Sequence, residues 1–125
     1  MIKASLFVLL TTLTVSASAQ WTELSQLENG STFYIDLSTL KKQSHNRTFW
    51  RLSNYSQPDS RGNMSVLARI NINCANETSQ YLAVRFFTQH YARGTPAAMF
   101  DNVEKAVNVS PRTVMDDFMK AVCNK

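Results

Sequence analysis

The sequence has few of the residues that build nucleophile and metal sites, and few that break chains. It holds two cysteines, two histidines, three glycines and three prolines in 125 residues. Gly30, Gly62, Gly94, Pro58 and Pro96 fall singly in turn-like stretches, so no low-complexity run, repeat or linker divides the chain. Beyond residue 19 no apolar run approaches the ~20 residues needed to cross a bilayer. His45 sits in a polar stretch and His90 near a strand end, and neither has a serine, cysteine or carboxylate placed beside it in sequence to form a nucleophile and base pair. Asp116 and Asp117 are adjacent on a predicted helix, so their side chains diverge by about 100° and are expected to face water. Asp36, Asp59 and Asp101 lack the close spacing of a calcium loop. The expectation is a protein that is not an enzyme and holds no metal or cofactor.

What is present begins with a leader. Lys3, the apolar run Leu6 to Leu13 and the small residues Ala17, Ser18 and Ala19 read as a signal peptide over 1–19, leaving residues 20–125 as one domain. An exported chain meets an oxidising compartment, so Cys74 and Cys123 are expected to form a disulfide rather than a thiol site; neither has the Cys/His spacing of a zinc centre. The loop so closed would contribute on the order of 4 kcal/mol in the chain-entropy description. The formal charge of +4 stays basic after loss of Lys3 and favours anionic partners such as lipid head groups, polysaccharide or acidic protein. Export and the lack of a recognition motif exclude nucleic acid. Six Asn-x-Ser/Thr sequons stand at Asn29, Asn46, Asn54, Asn63, Asn76 and Asn108; they would imply heavy glycosylation in a eukaryotic host and carry no meaning in a bacterial one.

Along the chain, Gln20 to Leu24 reads as an edge strand before an Asn29-Gly30 turn, and Thr32 to Leu37 as a second strand. Lys41 to Asn46 reads as a polar connector. Arg47 to Tyr55 alternates, with Trp50 and Leu52 expected on the core face, and residues 57 to 64 form the tip of the next hairpin. Ser65 to Cys74 places Ala68, Ile70, Ile72 and Cys74 on one face. Gln80 to Tyr91 reads as a long strand with Leu82, Val84 and Phe86 inward, and Ala97 to Val107 as a short helix or irregular segment. Ser110 to Cys123 is predicted helical, capped by Ser110 with Pro111 at its first position. Met115, Phe118, Met119 and Val122 then form one apolar stripe.

These elements predict an α+β domain: a single antiparallel β-sheet with a C-terminal α-helix packed on one face and one disulfide. The helix is expected to lie on Trp50, Leu52, Ile70, Ile72, Val84 and Phe86. The other face would then carry Phe49, Arg51, Tyr55, Arg69, Tyr81, Arg85, Phe87 and Tyr91, side chains that combine large apolar area with directed hydrogen bonds. Two outcomes are open for that face: docking of a macromolecule or a second copy of the chain, or a second small core under the segment containing Trp21.

The ordered set Gly30, Tyr34-Ile35-Asp36, Arg47, Trp50, Leu52, Tyr55, Cys74, Tyr81, Tyr91, Gly94, Val109, Pro111 and Val122-Cys123 resembles the surface-adhesin protein E family over nearly all of residues 20–125. The resemblance implies a bacterial exported domain, in the periplasm or at the outer cell surface, with a disulfide joining helix to sheet. It also implies binding without enzymatic chemistry, since the founding adhesin engages host matrix and serum proteins and can form a homodimer. The chain departs from the family at Ala106 and Val107, a region where many relatives carry tryptophan, and at Arg112, where they often have glycine. The expected partner is a protein or anionic polysaccharide; the alternative function is inhibition of a cell-wall hydrolase or protease in the periplasm, through a rigid loop at Ser56 to Met64.

Overall fold

The computed structural model describes residues 20–124, so the signal-peptide reading of residues 1–19 lies outside the described residues. Strands β1 (Trp21–Gln26), β2 (Thr32–Gln43), β3 (Asn46–Asn54), β4 (Ser65–Asn73) and β5 (Thr78–Phe87) pair in chain order as an antiparallel meander. The short β6 (Ala98–Phe100) and β7 (Val107–Asn108) both pair with the outer edge of β5. Helix α1 (Val114–Cys123) closes the chain. The α+β architecture with one helix and one disulfide is thus observed. Among the described residues no helix is long and apolar enough to cross a membrane.

Several boundaries differ from the sequence reading, each for a physical reason. Lys41 and Lys42 are not in a connector: they pair with Thr48 and Arg47, and the β2–β3 turn is only Ser44 and His45, with Ser44 at φ 55°. Strand residues exposed on both faces can be polar throughout, which hides the alternation that marks a half-buried strand. Residues 97 to 107 are not helical. The outer edge of β5 carries unpaired backbone groups, and this segment satisfies them, with Ala97 N donating to Phe86 O at 2.8 Å and Glu104 N to Tyr81 O at 3.0 Å. Strand β5 ends at Phe87, and His90–Ala92 form a 3-10 turn in which Tyr91 and Ala92 have positive φ. That turn is pinned to the sheet by Tyr91 N donating to Asn54 Oδ1 and Ala92 N to Ser65 Oγ, both at 2.9 Å.

Helix α1 starts later than Ser110 and Pro111 imply. Its N-cap is Thr113, whose hydroxyl accepts from Asp116 N at 3.2 Å, while the Asp116 carboxylate accepts from Arg112 N at 3.0 Å. Two free donors are satisfied reciprocally, as in a capping box. Asp116 is therefore buried rather than solvated, and only Asp117 stays exposed, accepting from Ser25 Oγ at 2.8 Å. At the other end Arg47 Nε donates to Val122 O, one of the carbonyls a helix leaves free.

The stripe Met115, Phe118, Met119 and Val122 does face the sheet, with Phe118, Met119 and Val122 buried. It lies on Phe33, Ile35, Phe49, Ala68, Ile70 and Ile72, so the expected core is corrected in β3 and also in β5, whose Val84 and Phe86 share the helix side but stay half-buried outside this cluster. Trp50 and Leu52 are on the opposite face. Phe49 is fully buried, its ring stacked on Phe118 with centroids 5.8 Å apart. The cause is register: Asn54 pairs with Ser65, which sets Phe49 opposite Ile70. A pairing of Tyr55 with Ser65 would set Trp50 there instead, and a one-residue slip exchanges the two faces of a strand. Cys74, one residue past β4, and Cys123, the last residue of α1, form the disulfide at a Cα separation of 5.7 Å.

Candidate functional site

The eight residues expected on one binding face are divided by the sheet. Phe49, Arg51, Tyr55 and Tyr81 belong to the helix side, while Arg69, Arg85, Phe87 and Tyr91 belong to the helix-free side. Two features cause this. The β3 register moves Phe49, Arg51 and Tyr55 beneath or beside α1. In β5 an irregularity between Ala83 and Tyr81, opposite Arg69 and Ile70, leaves Leu82 unpaired and turns Tyr81 to the same side as Ile70. Phe49 and Phe87 are buried within the chain, at 0 % and 5 % exposure, so neither offers surface to a partner.

The helix-free side has a covered end and an open end. At the covered end the 3-10 turn is bonded to Asn54 and Ser65, both buried. Tyr91 packs on Tyr34 with ring centroids 6.2 Å apart, and Arg93 lies 5.6 Å over the Tyr91 ring. A hydrogen bond with Tyr34 is the largest of the effects that hold the Tyr91 phenol above its ordinary pKa.

At the open end a cleft of about 410 Å³ is lined by Trp21, Asp36, Thr39, Trp50, Leu67 and Arg85. A second depression of about 210 Å³ shares Thr39 and Trp50 with it and reaches Lys41 and Arg69. Cross-strand pairing makes this assembly: Trp21 lies opposite Asp36, Asp36 opposite Trp50, and Trp50 opposite Arg69. A local irregularity in β2 between Asp36 and Lys41 shapes the floor. There the Thr39 hydroxyl donates to Asp36 O at 2.7 Å and accepts from Trp50 N at 3.1 Å. The Asp36 carboxylate is buried and is held through Oδ1, which accepts from Ser38 N at 3.0 Å and from the Ser38 hydroxyl. Arg85 lies 6.0 Å over the Trp50 ring and pairs with exposed Asp101 at 2.7 Å.

Of this open site the sequence reading named Arg69 and Arg85 and missed Trp21, Asp36, Thr39, Lys41, Trp50 and Leu67. The signal was the row Trp21–Asp36–Trp50–Arg69, which becomes legible only when three strand registers are known. Trp21 does not fold across the face as a separate flap; it is on the edge strand and supplies one wall of the cleft. His45 and His90 are both exposed and stand apart from each other, the His90 ring nitrogen Nε2 lying 3.0 Å from Tyr55 O. Sequons Asn54 and Asn63 are buried.

Two structures of Haemophilus influenzae protein E, one of them crystal form II, each match with TM-score 0.63 at 18 % identity. Each covers 87 % of this chain, and 91 % of that protein in form II or 87 % in the other. A selenomethionine form of protein E from the same organism gives TM-score 0.62 at 19 % identity, covering 82 % of this chain and 85 % of that one. At such identities the likeness is one of fold. No curated protein matches the sequence. The family model described as surface-adhesin protein E matches residues 21–124, which is the whole sheet, the helix and both cysteines, and the chain belongs to that family.

Proposed function

We propose that this protein is an exported, non-enzymatic binding domain of the bacterial envelope or surface, and that the open end of its helix-free sheet face holds an anionic partner. The observation that carries this reading is the cleft between Trp21 and Trp50, rimmed by Lys41, Arg69 and Arg85. Flat aromatic walls give apolar contact area, and surrounding cations steer and orient acidic groups. An acidic polysaccharide of the envelope or host matrix suits a shallow, open groove of this kind; an acidic protein segment is the other member of the same charge class. The family description as a surface adhesin supports a binding role.

The test has two parts. Protease shaving of intact cells reads export to the surface. Solid-phase capture of a sulfated polysaccharide and of matrix proteins by the wild type, by Trp50→Ala and by Arg69→Glu reads the cleft. Both variants are expected to lose capture about tenfold or more while folding normally. Full capture by both variants refutes the cleft as the binding site.

A second reading, inhibition of a cell-wall hydrolase or protease, draws on the loop between β3 and β4. Asp59 accepts from Arg61 N and Asn63 N at 2.9 Å and from Asn63 Nδ2 at 3.1 Å, and this internal bonding preorganises the loop as inhibition requires. Loss of inhibition in Asp59→Ala would support it, and failure to inhibit any hydrolase of the envelope would remove it.

A further inference from the structure

On the helix side of the sheet Arg51 is 9 % exposed, yet no carboxylate of the described residues pairs with it. Its guanidinium carbon lies 6.0, 5.5 and 5.7 Å from the ring centroids of Phe33, Tyr81 and Phe118. Among the described residues it makes one hydrogen bond, from Nη2 to the Tyr81 hydroxyl at 3.0 Å, and its buried Nε meets no acceptor there. Three aromatic faces offset part of the cost of holding a cation away from water, but buried charges in folded proteins are as a rule completed by an opposite charge. No described carboxylate forms an ion pair with it, and Glu104, at the lining of the same pocket, stays unpaired with it.

The guanidinium does not end in packed protein. Arg51 forms the polar end of a pocket of about 230 Å³ that opens to solvent beside α1, together with Tyr55 and Tyr81. The floor is apolar, made by Val66, Val84 and Phe86. The Tyr55 hydroxyl makes no hydrogen bond to a described residue, and burial raises its pKa against the opposing pull of Arg51, so the phenol stays protonated as a donor. The Arg51 Nη1 group likewise donates to no described residue.

We propose that this pocket is a binding site for a carboxylate that carries a short apolar group. The anionic end would accept from Arg51 Nη1 and the Tyr55 hydroxyl, and the apolar group would lie on Val66, Val84 and Phe86. A guanidinium and a carboxylate form strong charge-assisted hydrogen bonds, strongest where water is excluded. A single negative charge fits better than a phosphate or sulfate dianion, because the floor is apolar and Glu104 stands at the lining with its own charge. The volume accommodates a branched alkyl group or a phenyl ring rather than a long chain. This site is on the other side of the sheet from the Trp21–Trp50 cleft and stands independently of it. The same chemistry is offered by a free small acid and by the C-terminal residue of a peptide.

The experiment is a ¹H–¹⁵N NMR titration of the purified protein, following the Arg51 Nε–H and the amides of Tyr55, Tyr81 and Val84. The probes are isovalerate, 3-phenylpropionate, 3-phenylpropionamide and a short peptide ending in leucine with a free or amidated terminus. Saturable shifts with the carboxylates, absent with both amides, are the expected result. Tyr55→Phe should weaken binding several-fold and Arg51→Met about tenfold or more. Should Arg51→Met fail to fold, the amide controls and Tyr55→Phe carry the test. A free-acid peptide that binds more tightly than isovalerate assigns the site to chain termini, and the reverse order assigns it to small acids. Equal shifts with acid and amide, or no saturable shift up to about 20 mM ligand, overturn the proposal.

Discussion

Replacing Phe49 and, separately, its neighbour Trp50 by alanine tests which face of the sheet is the core. Phe49 is fully buried and stacked on Phe118, and it lies opposite Ile70 beneath the helix. Truncation removes a ring from the middle of that layer and leaves a cavity against Phe118, for which about 3–5 kcal/mol is the usual loss. The upper half of that range is expected, because the Arg51 guanidinium rests on the Phe118 ring and depends on its position. For a domain of about 100 residues this corresponds to a fall in Tm of roughly 15–20 °C. Trp50 is only half-buried and faces the open cleft, so its removal leaves a wider groove rather than a closed cavity, and about 1 kcal/mol is expected. Guanidinium unfolding followed by far-UV circular dichroism reads both without relying on tryptophan fluorescence. If Trp50→Ala destabilises as much as Phe49→Ala, the register placing Phe49 under the helix is wrong, and the assignment of both faces falls with it.

Three further outcomes follow from the same structure. The Cys74→Ser/Cys123→Ser variant, which opens a loop with a sequence separation of 49, should lose about 4 kcal/mol in the chain-entropy description while capture per folded molecule at the cleft is unchanged; unfolding curves and the capture assay check this together. Thr113→Ala removes the cap hydroxyl of α1 and should cost about 1 kcal/mol by the same unfolding measurement, whereas Ser110→Ala, outside the helix, should cost less. Asp59 and Asp116 both have lowered pKa values, chiefly through the backbone hydrogen bonds from Asn63 and Arg112. Their stabilising effect is therefore complete above the unfolded carboxylate value of about 3.9 and is lost as pH falls through the lower folded values; the Asp59→Asn/Asp116→Asn variant should show a flatter stability profile below about pH 4 in acid titrations followed by circular dichroism.

How far the sequence could be read depended on what each pattern measures. The apolar stripe Phe118, Met119 and Val122 was legible because a helical period with polar flanks has one solution. The row Ala68, Ile70 and Ile72 was legible because the residues between them are polar or charged. In β3 both rows contain large apolar residues, Phe49 on one and Trp50 and Leu52 on the other, and alternation cannot rank them. The unpaired Leu82 in β5 has no mark in the sequence at all, yet it sends Tyr81 to one face and Arg85 and Phe87 to the other. The row Trp21–Asp36–Trp50–Arg69 depends on those registers and was hidden for that reason. The helix start was misplaced because Ser110-Pro111 and Thr113 are both good signals, and only Asp116 turning back to Arg112 N decides between them.

By itself the sequence determined the five main strands, the closing helix with its buried stripe, the pairing of Cys74 with Cys123 and the family to which the chain belongs. These rest on local periodicity, on the count of cysteines and on the order of short motifs, all of which are properties of the chain read along its length. The tertiary structure alone decided which row of β3 lies under the helix, where the open aromatic cleft forms, and that Arg51 is buried beside a pocket with no ion-pair partner among the described residues. Those outcomes turn on single-residue offsets between strands distant in sequence, and an offset of one residue reverses a face while leaving the period of each strand unchanged.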